Sequence, residues 1–248
     1  MVSVLPQIVL NTIGSHNLIE QGATVIVALS GGADSTAALA VLQMLGYQCV
    51  AAHCNFHLRG DESLRDQAAA EAIAGRLGCE CRVQHFNVPE RCQAAGESVE
   101  MACRSLRYEW FERLSRELSA PVAVAHHRED RVETLLLNLL RGTGLAGLVS
   151  MSYRRDYVIR PLLDCSRAQI EDFCREQGLQ WVDDSSNVST VYRRNKLRIN
   201  VLPQLEHDFP GAVEAITRSM AHLSEDAAFF ARAVARRMEL YTTADGVD

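Results

Sequence analysis

Ser30-Gly31-Gly32-Ala33-Asp34-Ser35 combines hydroxyls, paired glycines and one carboxylate in an unbroken run. Glycine lets a backbone turn tightly and bring its N–H groups close to a ligand. A helix starting here adds unpaired N–H donors and the positive end of its dipole. The product is an anion cradle made mainly of neutral donors, suited to phosphate. The lysine of the common ATPase loop, G-x-x-x-x-G-K-S/T, is missing. Asp34 would repel a phosphate unless it caps the helix or holds Mg2+ beside the phosphates. The bland alternative is an ordinary strand-to-helix turn.

Other side chains could do chemistry with it. Asp130 and Glu133 stand three apart, which puts both on one helix face. Such a pair holds an ammonium group, a metal or a proton, or is simply favourable charge at a helix start. His126 and His127 precede it. Arg104 and Arg107 also share a face and could reach phosphate or remain surface charges. His53 opens a charged segment running to Asp66, which could adjoin an adenine or be a solvated loop. Arg193, Arg194, Lys196 and Arg198 form the densest basic cluster, with Trp181 and Tyr192 nearby in sequence. Basic residues beside aromatics can grip a nucleic-acid strand, although an exposed helix start looks the same.

Alternating elements must position these groups. Residues 4–20 have helical apolar spacing. Thr24–Leu29, Cys49–Asn55, Cys81–Val88 and Pro121–His126 read as buried strands. Between them lie helices over Asp34–Leu45, Glu62–Leu77 and Ser98–Leu118, with Ser98 as a cap. A helix over Glu129–Leu140 follows, then Tyr157–Leu163 as a strand or extended return, then a helix over Ser166–Gln177. Asn195 to about Arg237 is helical, broken at Pro203 and Pro210, and the last residues form a loose tail. This alternation predicts an α/β fold with a parallel, doubly wound sheet and a small helical C-terminal segment. The glycine turn and the histidines then fall at strand ends that face one ligand crevice.

Composition sets outer bounds. The 248 residues suffice for one sizeable α/β domain plus an appendage. A net charge of −6 argues against general nucleic-acid coating and leaves room for a local basic patch. Lys196 is the single lysine, so arginine, with its planar fork, supplies nearly all positive charge. Eight cysteines include no C-x-x-C pair, which points to reduced thiols rather than a zinc or iron–sulfur site. The N-terminus lacks a basic leader and a membrane-length apolar run. A cytoplasmic protein with no membrane partner is expected.

The loop resembles the SGGxDS loop of the N-type ATP pyrophosphatase superfamily, whose members cleave ATP between the α and β phosphates and adenylate a substrate oxygen. From about Thr24 to about Leu205 the chain is similar to the tRNA(Ile)-lysidine synthetase family. The resemblance rests on the loop, H-x-N-x-x-L-R from His53 and R-x-x-R-Y from Arg104. It also rests on H-H-x-x-D-x-x-E-T from His126, R-P-L-L from Arg160, and D-x-S-N followed by R-N-x-x-R from Arg194. It implies an adenine nucleotide alpha hydrolase-like fold, with a catalytic domain over 1–200 and a helical extension over 201–248 that reads as the start of a short or truncated C-terminal domain. It implies ATP and Mg2+ as cofactors, free L-lysine and tRNA(Ile) with a CAU anticodon as partners, and a homodimer.

The implied reaction adenylates C2 of the wobble cytidine, and lysine then displaces AMP to give lysidine. Ser30, Gly31, Gly32, Ala33, Asp34, Ser35, His53 and Arg104 would bind ATP or pyrophosphate, with Mg2+ at Asp34. Asp34, Asp130, Glu133 and Arg198 would be catalytic. Arg193, Arg194, Lys196 and Arg198 would meet tRNA. The usual Asp-Asp-Gln after the histidines is here Glu129-Asp130-Arg131. The alternatives are a tRNA 2-thiolation enzyme of the same superfamily and a small-molecule amide-forming synthetase.

Overall fold

The computed structural model describes residues 4–149, 151–182, 193–243 and 246–247. Its contacts divide the chain into two units: Met1–Arg128 with Tyr153–Asn187, and Glu129–Ser152 with Val188–Asp248.

The first unit is built on a sheet. β1 (Thr24–Ala28), β2 (Gln48–Asn55) and β3 (Glu80–His85) are followed by β4 (Val122–Ala123), β5 (Arg154–Arg155) and β6 (Val158–Ile159). Their order is β3-β2-β1-β4-β6-β5. All neighbours are parallel except the β5–β6 pair. Side chains alternate across the sheet. Val25 and Val27 of β1 therefore join one core with α1 (Leu5–Ser15), α2 (Ala33–Met44), α3 (Asp61–Arg76) and α8 (Arg167–Glu176). Ile26 faces a second core containing Trp110, Phe111 and Leu114 of α5 (Val99–Leu118). This is the doubly wound α/β sheet that the alternation predicts. Strand order reverses between β1 and β4, where such folds open their ligand crevice.

Several boundaries differ from the sequence expectation for stated reasons. β3 stops at His85 because Asn87 starts α4 (Val88–Ala95), its side chain accepting from the Glu90 N–H at 3.3 Å. Gly96 closes that helix in the left-handed region at φ +65°. Of the strand or extended return expected over Tyr157–Leu163, only Val158–Ile159 pairs as a strand, since Pro161 has no N–H to extend a ladder. β4 is likewise shorter than Pro121–His126. Ser98 caps α5 as expected, accepting from Met101 N–H at 3.3 Å.

Among the described residues the second unit has helices and a terminal strand pair as its regular elements. It holds α6 (Arg128–Leu140) from its second residue on, α7 (Leu145–Leu148) and α9 (Arg193–Lys196). A π-helical turn over Leu197–Val201, α10 (Leu202–Asp208) and α11 (Ala212–Tyr241) follow. The break expected at Pro203 is a change of helix type instead: the π turn over Leu197–Val201 gives way to α10, and Pro203 falls in its first turn, where proline is tolerated. At Pro210 the helix does stop, and Glu206 accepts from the N–H groups of Gly211 at 2.6 Å and Val213 at 3.0 Å to start α11. In place of a loose tail, β7 (Thr242–Thr243) pairs antiparallel with β8 (Gly246–Val247).

Candidate functional site

The Ser30–Ser35 loop joins β1 to α2. Gly31 is buried with φ +91°, a conformation that favours glycine. Its carbonyl accepts from Val182 N–H at 2.9 Å, fastening the segment after α8 onto the loop. Ser35, buried inside the turn, accepts from Ser30 N–H at 3.2 Å and donates to Gly32 carbonyl at 3.0 Å. Ser35 is therefore a staple for the loop, while Ser30 is exposed at its mouth. α2 is buried along most of its length, so sheet and helices hold its N-terminus rigidly behind the loop. Helix geometry leaves its first-turn N–H groups to a ligand.

Asp34 lies in that first turn, half-buried. Arg167 Nη1 donates to its Oδ2 at 2.5 Å, and His127 Nε2 stands 3.8 Å from the same oxygen. Neither neighbour follows from local spacing. Arg167 opens α8, whose capping box joins Ser166 and Gln169. Among the described residues no group of three or more His, Cys, Asp or Glu could hold a metal ion. One carboxylate beside a phosphate cradle still fits Mg2+, which takes most of its ligands from water and substrate phosphates.

His53 ends almost fully buried, its Nδ1 donating to the Leu29 carbonyl at 2.8 Å. Burial pulls its pKa below the ordinary value, outweighing that hydrogen bond. His53 thus buttresses the end of β1. Arg104 lies over the Tyr108 ring at 4.9 Å and Arg107 over Phe56 at 5.3 Å. The R-P-L-L segment has a positioning role that its sequence did not announce. Arg160 Nε donates to His126 Nδ1 at 3.3 Å. Asp164 accepts from Thr12 and Tyr153, both at 2.7 Å, and its carbonyl accepts from Arg128 at 2.6 Å.

In the second unit Asp130 and Glu133 share one face of α6 and are buried, Glu133 with 0% exposure. Arg194 Nε donates to Glu133 Oε2 at 2.6 Å and its Nη2 to Asp130 Oδ1 at 3.0 Å. Arg198 Nε donates to Glu133 Oε1 at 2.7 Å and its Nη2 to Asp130 Oδ1 at 2.9 Å. The carboxylate pair and two members of the basic cluster, assigned separate partners from the sequence, form one charge-balanced network. Lys196, between the two arginines, is exposed. Arg131 is buried at 5% exposure. The Arg193 side chain, Tyr192 and the D-x-S-N segment lie outside the described residues.

A strand, a lysine-free glycine turn and a buried helix at the switch point of a parallel sheet define a PP-loop fold. The chain belongs to the PP-loop domain family, whose model matches residues 7–205. Among its relatives is the tRNA(Ile)-lysidine synthase of Porphyromonas gingivalis, 47% identical over 225 residues, which cover 90% of this chain and 50% of that protein. Another is the tRNA(Ile)-lysidine synthase of Bacteroides thetaiotaomicron, 39% identical over 98% of this chain and 58% of that protein. The chain thus spans about half the length of the curated relatives it matches. The U34-tRNA thiolase of Methanococcus maripaludis superposes with a TM-score of 0.74 over 89% of this chain and 78% of that one. At 20% identity that likeness shows the fold.

Proposed function

We propose that the chain carries the lysidine-forming chemistry of a tRNA(Ile)-lysidine synthase. It joins free lysine to C2 of the wobble cytidine in tRNA(Ile) with a CAU anticodon, giving lysidine, AMP and pyrophosphate from ATP. The observation that carries this reading is the 245-residue match to one such synthase, which runs through the 30–35 loop and the 130–198 network alike. Within it, residues 1–200 are the catalytic domain and 201–248 a helical extension.

In the first step the C2 oxygen of the cytidine attacks the α-phosphorus of ATP and pyrophosphate leaves. The α2 N–H groups and the Ser30 hydroxyl receive the leaving charge, the kind of fixed donors that contribute most to such steps. Ser35 and His53 keep the cradle in shape, and Arg104 supports the phosphates. Asp34 would hold Mg2+, whose Lewis acidity would ease the build-up of charge on the phosphates. In the second step the lysine ε-amine attacks C2 and AMP departs. The Asp130–Glu133 pair supplies the negative charge that orients the amine, and Asp130, the less buried of the two, receives its proton. Arg194 and Arg198 balance their charge and, each still more than one-third exposed, meet the tRNA with their open side. An enzyme working on a base must first expose it.

Incubation with ATP, Mg2+, radiolabelled lysine and unfractionated tRNA tests this. Label confined to the isoleucine tRNA with a CAU anticodon is expected, and AMP should appear in equal amount. Absence of label from all tRNA, with the protein folded, overturns the reading.

A further inference from the structure

The contact between Arg167 and Asp34 raises a question of charge. A phosphate cradle with a bare carboxylate at its mouth would repel its ligand, and a guanidinium here removes that repulsion. Arg167 approaches from α8, which packs on α2, and Cys174 of the same helix donates to the Ala33 carbonyl at 3.6 Å. The guanidinium has a second carboxylate. Its Nε donates to Glu171 Oε1 at 2.7 Å, one turn further along α8. Arg167 therefore keeps a partner of opposite charge if Asp34 is taken by something else. Both side chains of the pair are partly open, at 37% and 26% exposure, so the contact can exchange without stranding a buried charge.

We propose that Arg167 is a positioning residue for Asp34: it neutralises and aims the carboxylate while no cation is present, and yields it to the divalent cation that accompanies nucleotide phosphates. The proposal rests on the phosphate-binding reading of the loop and names the regulation of that site. Arg167 and a divalent cation carry like charge, so at short range from one carboxylate they repel each other and compete for it. The loop thus has two neutralised states, one with arginine and one with metal.

Calorimetric titration of inorganic pyrophosphate, once in EDTA and once in Mg2+, reads this directly. Native protein, Arg167→Gln, Arg167→Lys and Asp34→Asn are compared, each checked for fold by far-UV circular dichroism. In Arg167→Gln, metal-free pyrophosphate should bind about tenfold more weakly, as expected for exposing one charge at short range. Binding with Mg2+ should change far less, so the ratio of the two affinities rises. In Asp34→Asn the ratio should collapse toward one. Equal weakening in both titrations would make Arg167 a phosphate ligand, and no weakening in either would make it structural; each overturns the proposal. If Arg167→Gln does not fold, Arg167→Lys carries the test: it keeps the charge, so its ratio should stay near native, and a ratio as high as one expects for a bare Asp34 overturns the proposal. If the native protein binds pyrophosphate but fails to label tRNA, the lysidine reading fails while this titration still decides the role of Arg167.

Discussion

Arg198 grips Glu133 with its Nε at 2.7 Å and its Nη2 at 3.1 Å, although 65 positions separate the two residues. Glu133 is fully buried and Arg198 about one-third exposed, so the carboxylate depends on its partners more than they depend on it. Removing its charge leaves two guanidinium groups sharing Asp130. Glu133→Gln should lower stability by about 1–3 kcal/mol, discounted for the exposure of the arginines. A fall in Tm of several degrees together with loss of lysine transfer would bear this out; an unchanged Tm would refute it.

The same network should behave as a unit. Arg198→Ala and Glu133→Ala each disrupt the other's hydrogen bonds, so their effects should not add. A double-mutant cycle on unfolding free energy should return a coupling of about 0.5–3 kcal/mol. Arg198→Lys should not restore function, because an ammonium lacks the fork that spans Glu133 and Asp130. A coupling near zero would mean that the contacts are incidental.

Asp34 is partly exposed, and its pairing with Arg167 adds little to the fold. Asp34→Asn should therefore leave the unfolding midpoint nearly unchanged. It should lower tRNA-dependent ATP–pyrophosphate exchange by about a hundredfold or more, the scale of losing a charge-stabilising group at a reacting phosphate. Exchange at native rate would remove Asp34 from the reaction.

His53 gives a pH signature. Its folded pKa lies below the ordinary 6.5 because burial disfavours the imidazolium. Above pH 6.5 the ring is neutral in both folded and unfolded chains. As pH falls below that value the unfolded chain takes up the proton first, so this stabilising contribution is lost as pH drops toward the folded pKa. Plotted against pH, the Tm of the native chain should fall more steeply on this acid limb than that of His53→Gln. Parallel curves would contradict the assignment.

Thiol reactivity should follow burial rather than count. Burial pushes Cys54 up to about 12 and Cys81 and Cys174 up to about 11, so these stay protonated near neutral pH. A hydrogen bond from Cys49 lowers the Cys79 thiol. Iodoacetamide at pH 7.5 should modify Cys79 before those three, read by peptide mass spectrometry. Earlier modification of Cys54 would contradict the ordering.

Much was legible in the residues alone. The run Thr24 to Leu45 announces strand, turn and helix because each is encoded locally: β-branched residues, then glycines, then alanine and leucine. Ser98 could be read as a cap because its partner is three residues away. α4 is absent from the sequence reading because its cap, Asn87, and its first residue, Val88, fall inside the strand expected over Cys81–Val88. The backbone contacts of Ser35 and His53 were not legible, since hydroxyls and imidazoles look alike in sequence whether they face a ligand or the backbone.

The sequence by itself determined the loop, the alternation of strands and helices around it and the kinds of side chain available for chemistry, because short-range periodicity and turn preferences act within a few residues. Only the tertiary structure decided which charges meet. Arg167 reaches Asp34 across 133 positions, and Arg194 reaches Glu133 across 61. A carboxylate carries no local mark of its partner; it takes whichever cation the packing of helices brings within hydrogen-bond range, and that packing is a property of the whole folded unit.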